Sequence, residues 1–554
     1  MEIKLKDKVK NILVLLIVAC IMCIPMLKDN LDVYYDDGIQ HIARAFGSFE
    51  AMSKGVTFGN IIPNFSNGFG YSWNLFYGAF TTVGIIIFKV ITGSYIVGYK
   101  IFAFVCLFLS GIFMYKFVKD VSDNHNVGLL AGSLYMMAPY HLTDLYVRNA
   151  LAEFASFMFI PLVFLGLYNI VQKEGKSWYL SLGAIGLIFT HNISALYTAI
   201  LGLIYLLVNI KALKDKETWK LLGINALFIV MITLCFTLPM LEARFSADYR
   251  VYEDEAMATK ESVLEQRLSI KRIFVTAAGD GFAFELGPYM IIMLAFSFMT
   301  IRIMKPEFRK DYLFFLIAGL VTLLMSTKLF PWQFMPKFLY IIQFPWRCME
   351  FASFFLSIVC AINMGAVIKN YKFKDAIIII VIATVYVMAL HGFVKYTDEV
   401  SPIEDWNVGQ VSGMNNECIA GMGRAEYLPT KAFENRFYVA TREDKIYALK
   451  GKAVVDEEQK DGLNMSAKIE TFGEDVSLEL PYIYYPGYEV RADGEILKTY
   501  ETENGFLGCD LPSGDDLTLE VAYRGTDNSK VATIISVLGT LLLIIYIWKM
   551  EREK

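Results

Sequence analysis

The chain has 554 residues, of which 55% are hydrophobic, 15% aromatic and only 19% charged, and its formal net charge is −5. Because soluble domains carry about a quarter charged residues, this composition predicts an integral membrane protein and argues against a soluble enzyme. The Lys and Arg residues lie in short loops between apolar runs and not on an amphipathic face, so no nucleic-acid partner is expected.

The chain begins with a basic stretch, MEIKLKDKVK, followed by the apolar run NILVLLIVACIMCIPM. No small-residue cleavage motif follows, which predicts a retained signal-anchor helix and not a removed signal peptide. A membrane helix needs about 20 mostly apolar residues. Thirteen segments are candidates: 11–27, 75–92, 99–115, 127–140, 153–171, 177–190, 193–210, 220–241, 288–304, 311–327, 349–369, 375–394 and 530–548.

The charged loops between these segments predict their orientation. Lys- and Arg-rich loops favour the cytoplasmic side, and four loops are of this kind: 172–178, 209–220, 302–312 and 369–375. Both termini are then also cytoplasmic in a bacterial cell membrane. The opposite, outer side receives 28–74, 141–152, the region near 191, 242–287, 328–348 and 395–529.

One segment does not fit a simple alternation of crossings. Residues 115–126 are also expected on the cytoplasmic side, so 75–115 makes one net crossing although it contains two apolar runs. We therefore expect 75–92 to be re-entrant or to lie along the outer interface. Partial crossings are tolerated where they are buried in protein or line a cavity, which predicts a cavity beside residues 33–50.

The last outer region has a different composition. Residues 397–529 are mostly polar and alternate apolar with polar side chains between turns, which predicts a small antiparallel, β-sandwich-like domain. The chain thus divides into a transmembrane domain (1–396), this extracytoplasmic β domain, and a final transmembrane helix with a cytoplasmic tail (530–554). Whether Cys418 and Cys509 form a disulfide stays open.

The first outer loop, VYYDDGIQHIARAFGSFE, concentrates charge directly after the first apolar segment. Asp36 and Asp37 precede an expected helix, on which His41 and Arg44 follow Asp37 at i+4 and i+7 and so share its face. The two carboxylates are candidate general bases. The alternative is structural: the acids cap an interfacial helix by favourable interaction with its dipole, and Arg44 faces lipid headgroups.

Other outer loops supply arginines and further acids. Arg148 and Glu153 lie in the second outer loop, Arg244 at the start of the next long one, and Arg347 in QFPWRCMEF. Carboxylates activate a hydroxyl or hold a divalent cation, and arginines hold a phosphate bidentately. If the loops share one cavity, Asp37 or Asp36 would deprotonate an acceptor while Arg148, Arg244 or Arg347 holds a phosphate leaving group. Taken singly, each arginine also fits simple anchoring at the membrane interface.

Two stretches of the chain, DDGIQHIARAFGSFEAMSKG and GFGYSWNLFYGAF, resemble bacterial membrane proteins described as 6-pyruvoyl-tetrahydropterin synthase-related. QFPWRCMEF, EYLP and YYPGYEVRADGE resemble both that group and the YfhO-like proteins. An outer loop with paired acids followed by one with Arg and an acid is similar, more broadly, to the GT-C superfamily of glycosyltransferases. The chain has no His-rich zinc motif of a pterin synthase.

The resemblance implies an inverting glycosyltransferase with a GT-C-like fold and a polyprenyl-phosphate-linked sugar donor at the outer membrane face. Asp36 or Asp37 would be the base, and the acceptor would be a glycan, a glycolipid or a protein. Some relatives carry a metal-binding acid in the second outer loop, but this chain has no DxD motif there, so no metal ligand is assigned and a divalent cation stays open. The alternatives are a transporter or flippase of a lipid-linked glycan, and a non-enzymatic envelope assembly protein.

Overall fold

The protein consists of a large helical region with its own hydrophobic core and a C-terminal β-sheet that belongs to a second hydrophobic cluster. The computed structural model describes residues 2–27, 37–53, 59–173, 176–253, 259–274, 284–399, 425–512 and 516–552. Asp36 and Cys418 lie outside the described residues. The role of Asp36 as a base and the pairing of Cys418 with Cys509 therefore stay as the sequence leaves them. Cys509 is buried.

Twenty-two α-helices make up the helical part of the described residues. They are α1 (Glu2–Met22), α2 (Gly38–Ser53), α3 (Trp73–Phe76), α4 (Phe80–Thr92), α5 (Tyr95–Ser122), α6 (His125–Met136), α7 (Pro139–Tyr146), α8 (Leu151–Ser156), α9 (Ile160–Gln172), α10 (Tyr179–Thr190), α11 (Asn192–Val208), α12 (Lys216–Ser246), α13 (Lys260–Glu265), α14 (Ile270–Phe274), α15 (Pro288–Ala295), α16 (Ser297–Ile303), α17 (Pro306–Met325), α18 (Cys348–Ile368), α19 (Lys374–Glu399), α20 (Thr430–Glu434), α21 (Arg436–Thr441) and α22 (Asp527–Arg552). Short 3₁₀ turns include Arg250–Tyr252, Lys337–Ile342 and Pro345–Arg347.

The thirteen predicted apolar segments are all largely helical in the structure. Within the described ranges, five helical stretches are long and apolar enough to cross a membrane: Tyr95–Ser122, Leu151–Gln172, Lys216–Ser246, Pro345–Ile368 and Asp527–Arg552. Several shorter apolar helices accompany them. This architecture is compatible with a multi-pass membrane protein, as the composition predicts.

Helix α4 bears on the segment that was expected not to cross completely. It has 13 residues, which at about 1.5 Å per residue span about 20 Å, against a hydrocarbon core of about 30 Å. Gly93 ends the helix with φ 81°, a left-handed conformation that reverses the chain directly into α5. The length supports a partial crossing for this segment, and the topology itself stays a prediction.

The predicted cytoplasmic regions meet at one end of the helical bundle. Lys10 Nζ lies 3.3 Å from Asp375 Oδ2 and Asn126 Nδ2 donates to Asp375 Oδ1 at 3.0 Å. Lys176 Nζ donates to Glu551 Oε2 at 2.7 Å. The N-terminal segment thus contacts the 115–126 and 369–375 regions, and the C-terminal segment contacts the 172–178 loop, as expected if these regions lie on one side of the membrane.

The C-terminal region forms one seven-stranded antiparallel sheet that is barrel-like. The antiparallel β prediction is confirmed, but the described residues do not form the two packed sheets that a β-sandwich-like domain requires. The strands of the sheet are β1 (Tyr447–Asp461), β2 (Asn464–Ile483), β3 (Tyr488–Ala492), β4 (Glu495–Leu497), β5 (Thr499–Glu501), β6 (Phe506–Leu511) and β7 (Leu517–Tyr523). Their order is β4-β3-β7-β2-β6-β5, and β1 also pairs with the long strand β2. β2 pairs with β7 through its first half and with β6 through its second half. Alternate burial along β3 and β7 gives the sheet one packed face, as the sequence pattern predicts.

This sheet is docked on the first outer loop. The Phe69 ring lies 5.2 Å from that of Phe506, and Ile483 N donates to the Phe69 carbonyl at 2.9 Å. Phe76 stacks on Tyr427 at 5.2 Å just before the sheet begins. The β-sheet and the first outer loop therefore share one hydrophobic cluster, and the sheet covers the end of the bundle at which the charged loops gather.

Candidate functional site

The predicted outer loops converge on one large cavity of about 1130 Å³. It lies between the helical bundle and the segment leading into the β-sheet. The described segments that supply its wall are 37–44, 73–77, 148–153, 191–193, 251–252, 259–272, 341–347 and 426–427, together with Met240 and Phe284. Regions separated by hundreds of residues along the chain therefore share one wall, and each comes from the side predicted to be extracytoplasmic.

Asp37 lies at the start of α2 and on the cavity wall. Its carbonyl accepts hydrogen bonds from the backbone N–H groups of Gln40 and His41 at 3.1 and 3.3 Å, so it begins the helix. Its own N–H donates to the Arg148 carbonyl at 3.1 Å, which fixes the first outer loop against the second. Asp37, His41 and Arg44 all line the cavity, as the shared helical face predicts.

Arg148, Asp144 and Glu153 form a buried ionic cluster. Arg148 Nη1 lies 2.5 Å from Asp144 Oδ1 and 2.9 Å from Glu153 Oε2. Tyr140 donates its hydroxyl to the other oxygen of Glu153 at 2.5 Å. The turn between α7 and α8 makes this possible, because Asn149 adopts a left-handed φ of 47° and returns the chain so that Glu153 sits in the first turn of α8.

Arg347 joins the same cluster from the far end of the sequence. Its Nε donates to Glu153 Oε2 at 3.0 Å, and its Nη1 donates to Gln343 Oε1 at 2.6 Å and to the Ile342 carbonyl at 3.1 Å. One oxygen of Glu153 thus accepts from both guanidinium groups. Two carboxylates balance two arginines, so a ligand phosphate at Arg148 or Arg347 has to compete with Glu153 for their hydrogen bonds.

Arg44 has a different environment. Its side chain is 1% exposed, Nε donates to Asn74 Oδ1 at 2.7 Å, and Nη2 donates to the Tyr77 carbonyl at 2.6 Å. Nη1 is buried and has no hydrogen-bond partner among the described residues. Burial lowers the pKa of Arg44 to about 10, still far above neutral, so the group remains a cation. Its charge is met by neutral partners.

His41 contributes a neutral ring to this part of the wall. Its pKa is lowered to about 3, mainly by burial and in addition by the nearby Arg44 charge and the His191 ring. At neutral pH the imidazole is therefore uncharged and acts as a hydrogen-bonding group. The ring therefore has no net charge with which to attract or repel a bound anion.

A second polar cluster includes His191, which lines the cavity, and Ser194 and Glu350, which do not. The sequence-based assignment of site residues did not include His191. His191 Nδ1 lies 2.7 Å from Ser194 Oγ, which in turn lies 2.8 Å from Glu350 Oε2. Ser156 also donates its hydroxyl to Glu350. The Glu350 carboxylate is satisfied by hydroxyl donors, and it fixes the orientation of a histidine that lines the cavity.

Arg244 lies outside the cavity lining, unlike the other predicted site residues that the structure describes. Its guanidinium carbon lies 4.2 Å from the centre of the Tyr252 ring, and Tyr252 itself lines the cavity. Two other arginines, Arg267 and Arg272, line it instead. Neither stands in a spacing or motif that marks it in the sequence, so only the three-dimensional arrangement identifies them.

The carboxylates of Asp144, Glu153 and Glu350 are engaged with arginines and hydroxyls. In the described part of the chain, no group of three His, Cys, Asp or Glu side chains is arranged to hold a metal ion. Glu153, at the position where the resemblance implies a metal-binding acid in some relatives, instead orients two guanidinium groups.

Comparison with known proteins gives a distant relative. No family model matches the chain. A curated protein of Lactococcus lactis subsp. cremoris (strain MG1363), described as an uncharacterized protein, is 27% identical over 339 residues, which are 58% of this chain and 54% of that protein. The chain thus spans about half the length of this relative, and the function has to be argued from the cavity.

Proposed function

We propose that the protein transfers a sugar, with inversion, from a polyprenyl-phosphate carrier to an envelope acceptor at the outer face of the membrane. The observation that carries the proposal is the placement of Asp37 on the wall of the same cavity as the Arg148–Glu153–Arg347 cluster. An acid beside fixed guanidinium groups supplies both a proton acceptor and stabilisation for a departing phosphate.

In the proposed reaction, an acceptor hydroxyl attacks the anomeric carbon of the sugar as its proton passes to the Asp37 carboxylate. The bond between that carbon and the phosphate oxygen breaks, and its electron pair leaves with the polyprenyl phosphate. Attack and departure occur on opposite faces of the carbon, so the configuration inverts. The arginines stabilise the negative charge that develops on the leaving oxygen.

The size and the lining of the cavity support a reaction between two molecules. Its volume of about 1130 Å³ exceeds the roughly 300–1,000 Å³ of common small-molecule sites. Apolar side chains such as Ile341 and Phe344 line it together with the charged groups, which suits a lipid-linked donor. Glu426 and Tyr427, at the entrance to the β region, also line it, so this region is well placed to orient a glycan, glycolipid or protein acceptor.

The base assignment is tested with Asp37→Asn in purified full-length protein and a panel of radiolabelled polyprenyl-phosphate sugars. Loss of a general base lowers a rate by about 10²- to 10⁴-fold, and the Asn side chain preserves the shape of the site. Asp527→Asn is the matched control, because Asp527 is 96% exposed at the start of α22. Undiminished transfer by the Asp36→Asn, Asp37→Asn double variant overturns the assignment.

A second measurement separates transfer from transport. Lipids extracted from the purified protein are identified by mass spectrometry. A polyprenyl phosphate or polyprenyl-phosphate sugar supports transfer. A complete lipid-diphosphate oligosaccharide supports a flippase or transporter and contradicts the proposal.

A further inference from the structure

We infer that Arg44 is the residue that binds the anionic group of the cavity's ligand, and that this group is a phosphate. The inference deepens the proposed function, since it names which guanidinium holds the donor phosphate. It stands on the cavity's charge arrangement alone, so it can hold even if no sugar is transferred.

Arg44 differs from the other buried arginines in the charge of its partners. Four arginine side chains are buried in the described part of the chain: Arg44, Arg148, Arg347 and Arg442. Arg148 and Arg347 contact Glu153, and Arg442 Nη2 lies 3.8 Å from Glu479 Oε1 in the β region. Arg44 alone among these four has only neutral hydrogen-bond partners.

An uncompensated charge in a protein interior is unfavourable. Burying an ion without a partner of opposite charge is costly, and leaving a buried N–H without an acceptor adds to that cost. Arg44 incurs both costs, because Nη1 has no acceptor within the described residues. Arg44 lines the cavity, so an anion bound there supplies the opposite charge that its protein partners do not.

The orientation of the guanidinium group fits such a ligand. Asn74 and the Tyr77 carbonyl hold Nε and Nη2, so the remaining Nη1 is fixed in place before a ligand arrives. The Tyr77 ring lies 5.2 Å from the guanidinium carbon and adds a cation–π contact. A preorganised donor loses little conformational freedom on binding, which strengthens the interaction.

The rest of the wall favours a phosphate carried on an apolar molecule. Among the described residues, five arginine and four acidic side chains line the cavity, so this part of the lining is slightly cationic with the histidines neutral. Glu153 pairs with Arg148 and Arg347, and the Asp37 N–H binds the Arg148 carbonyl, whereas neither acid is among the hydrogen-bond partners of Arg44. Apolar side chains, including Ile193, Met240 and Phe344, complete the wall.

The test measures binding of farnesyl phosphate to the full-length protein in detergent by quenching of tryptophan fluorescence, since Trp73 and Trp346 line the cavity. Farnesol and inorganic phosphate are the comparison ligands. Two variants address Arg44: Arg44→Gln removes the charge, and Asn74→Asp places a carboxylate beside an intact Arg44. Arg302→Gln is the control, because Arg302 packs on Phe298 on α16 and does not line the cavity.

We expect Arg44→Gln and Asn74→Asp each to weaken farnesyl phosphate binding by about 10- to 100-fold, the range for loss of a charge-assisted hydrogen bond. Arg302→Gln should bind as the wild type does. Competition by inorganic phosphate equal to that by farnesyl phosphate supports a soluble phosphate ligand, and much weaker competition supports a lipid-linked one. Either result agrees with a phosphate site.

Three results overturn the inference: unchanged affinity in both Arg44 and Asn74 variants, equal weakening in Arg302→Gln, or equal binding of farnesol and farnesyl phosphate. Should Arg44→Gln fail to fold, Asn74→Asp alone decides the question. The proposed function is separable, because Asp37→Asn is expected to bind farnesyl phosphate normally while transferring no sugar. Phosphate binding without any transfer by the wild type would keep the anion site and reject the enzymatic proposal.

Discussion

Glu153 is expected to be the residue on which the stability of the cavity wall depends most. It accepts hydrogen bonds from Arg148 Nη1 at 2.9 Å, from Arg347 Nε at 3.0 Å and from the Tyr140 hydroxyl at 2.5 Å. Glu153→Gln preserves the shape but removes the charge that two guanidinium groups share. Arg148 keeps Asp144 as a partner, whereas Arg347 is left without a carboxylate.

The size of the effect follows from these contacts. Each charge-assisted hydrogen bond contributes about 1.5–3 kcal/mol, and breaking a buried ion pair on one side costs about 3–5 kcal/mol. Because both bonds to guanidinium weaken together, we expect Glu153→Gln to lower the free energy of unfolding by about 3–5 kcal/mol. For a chain of this length, the melting temperature should fall by about 3–4 °C.

A thiol-reactive fluorescent dye measures this unfolding in detergent, since Cys106, Cys348 and Cys360 are buried and free. Glu265→Gln provides a matched control, because Glu265 is an exposed carboxylate on the same cavity wall and should change stability by less than about 0.5 kcal/mol. In a double-mutant cycle, Glu153→Gln combined with Arg347→Gln should cost less than the sum of the single changes. Wild-type stability of Glu153→Gln, or strict additivity in the cycle, would refute the shared ion pair.

Two further predictions concern packing and pH. A Cβ atom at Gly166 would lie 2.1 Å from a backbone nitrogen of α10, so Gly166→Ala should destabilise the protein by about 1–3 kcal/mol and lower its melting temperature. Gly223→Ala is the control, because a Cβ atom there on α12 meets nothing within 4 Å; it should leave the stability unchanged or raise it by up to about 1 kcal/mol. Equal effects of the two substitutions would contradict the helix packing. Burial raises the pKa of Glu501 from its ordinary value of 4.5 to about 7, although the nearby charge of Lys431 acts in the opposite direction. Between pH 4.5 and about 7 the folded protein therefore binds a proton that the unfolded chain does not, so the free energy of unfolding falls as the pH rises through this range. Glu501→Gln should therefore show a smaller drop in melting temperature between pH 5 and pH 8 than the wild type, and an identical drop would exclude this residue as the cause.

The features that the sequence predicts correctly are those that local patterns determine. Apolar length alone is enough to find the helices, because a segment such as 220–241 has no alternative way to satisfy its backbone in a membrane. The alternation along β3 and β7 likewise marks a sheet with one buried face. The convergence of Asp37 with Arg148 and Arg347 follows from a coarser rule, the segregation of basic loops to one side, and it required no knowledge of helix packing.

The assignment of individual partners was not accessible in the same way. Glu153 and Arg347 are 194 residues apart, and whether they pair depends on how α8 and the turn before α18 pack. The pairing of Asp144 with Arg148 was in principle visible, since the two are four residues apart, a spacing that favours ion pairs. A sequence shows which cations exist on one side of a membrane, but only the packing shows which of them are already neutralised.

The contrast between neutralised arginines and the uncompensated Arg44 indicates how a donor would be oriented in the proposed site. Asp37 begins α2 and Arg44 follows seven residues later on the same face, so about 10 Å of helix axis separates the acid from the uncompensated guanidinium. For in-line displacement at a sugar carbon, the base must contact the attacking hydroxyl on one face while the phosphate is held beyond the other. The distance from the base to the guanidinium is on the order of 10 Å when each hydrogen bond is about 3 Å. Between them lie the attacking hydroxyl, the sugar carbon, the bridging oxygen and the phosphate. Two turns of α2 thus present the base and the phosphate-binding group of the proposed reaction at a matching separation. Inserting a single residue between His41 and Arg44 should turn Arg44 about 100° away from Asp37. We expect this insertion to abolish transfer and to leave the Glu153 cluster intact.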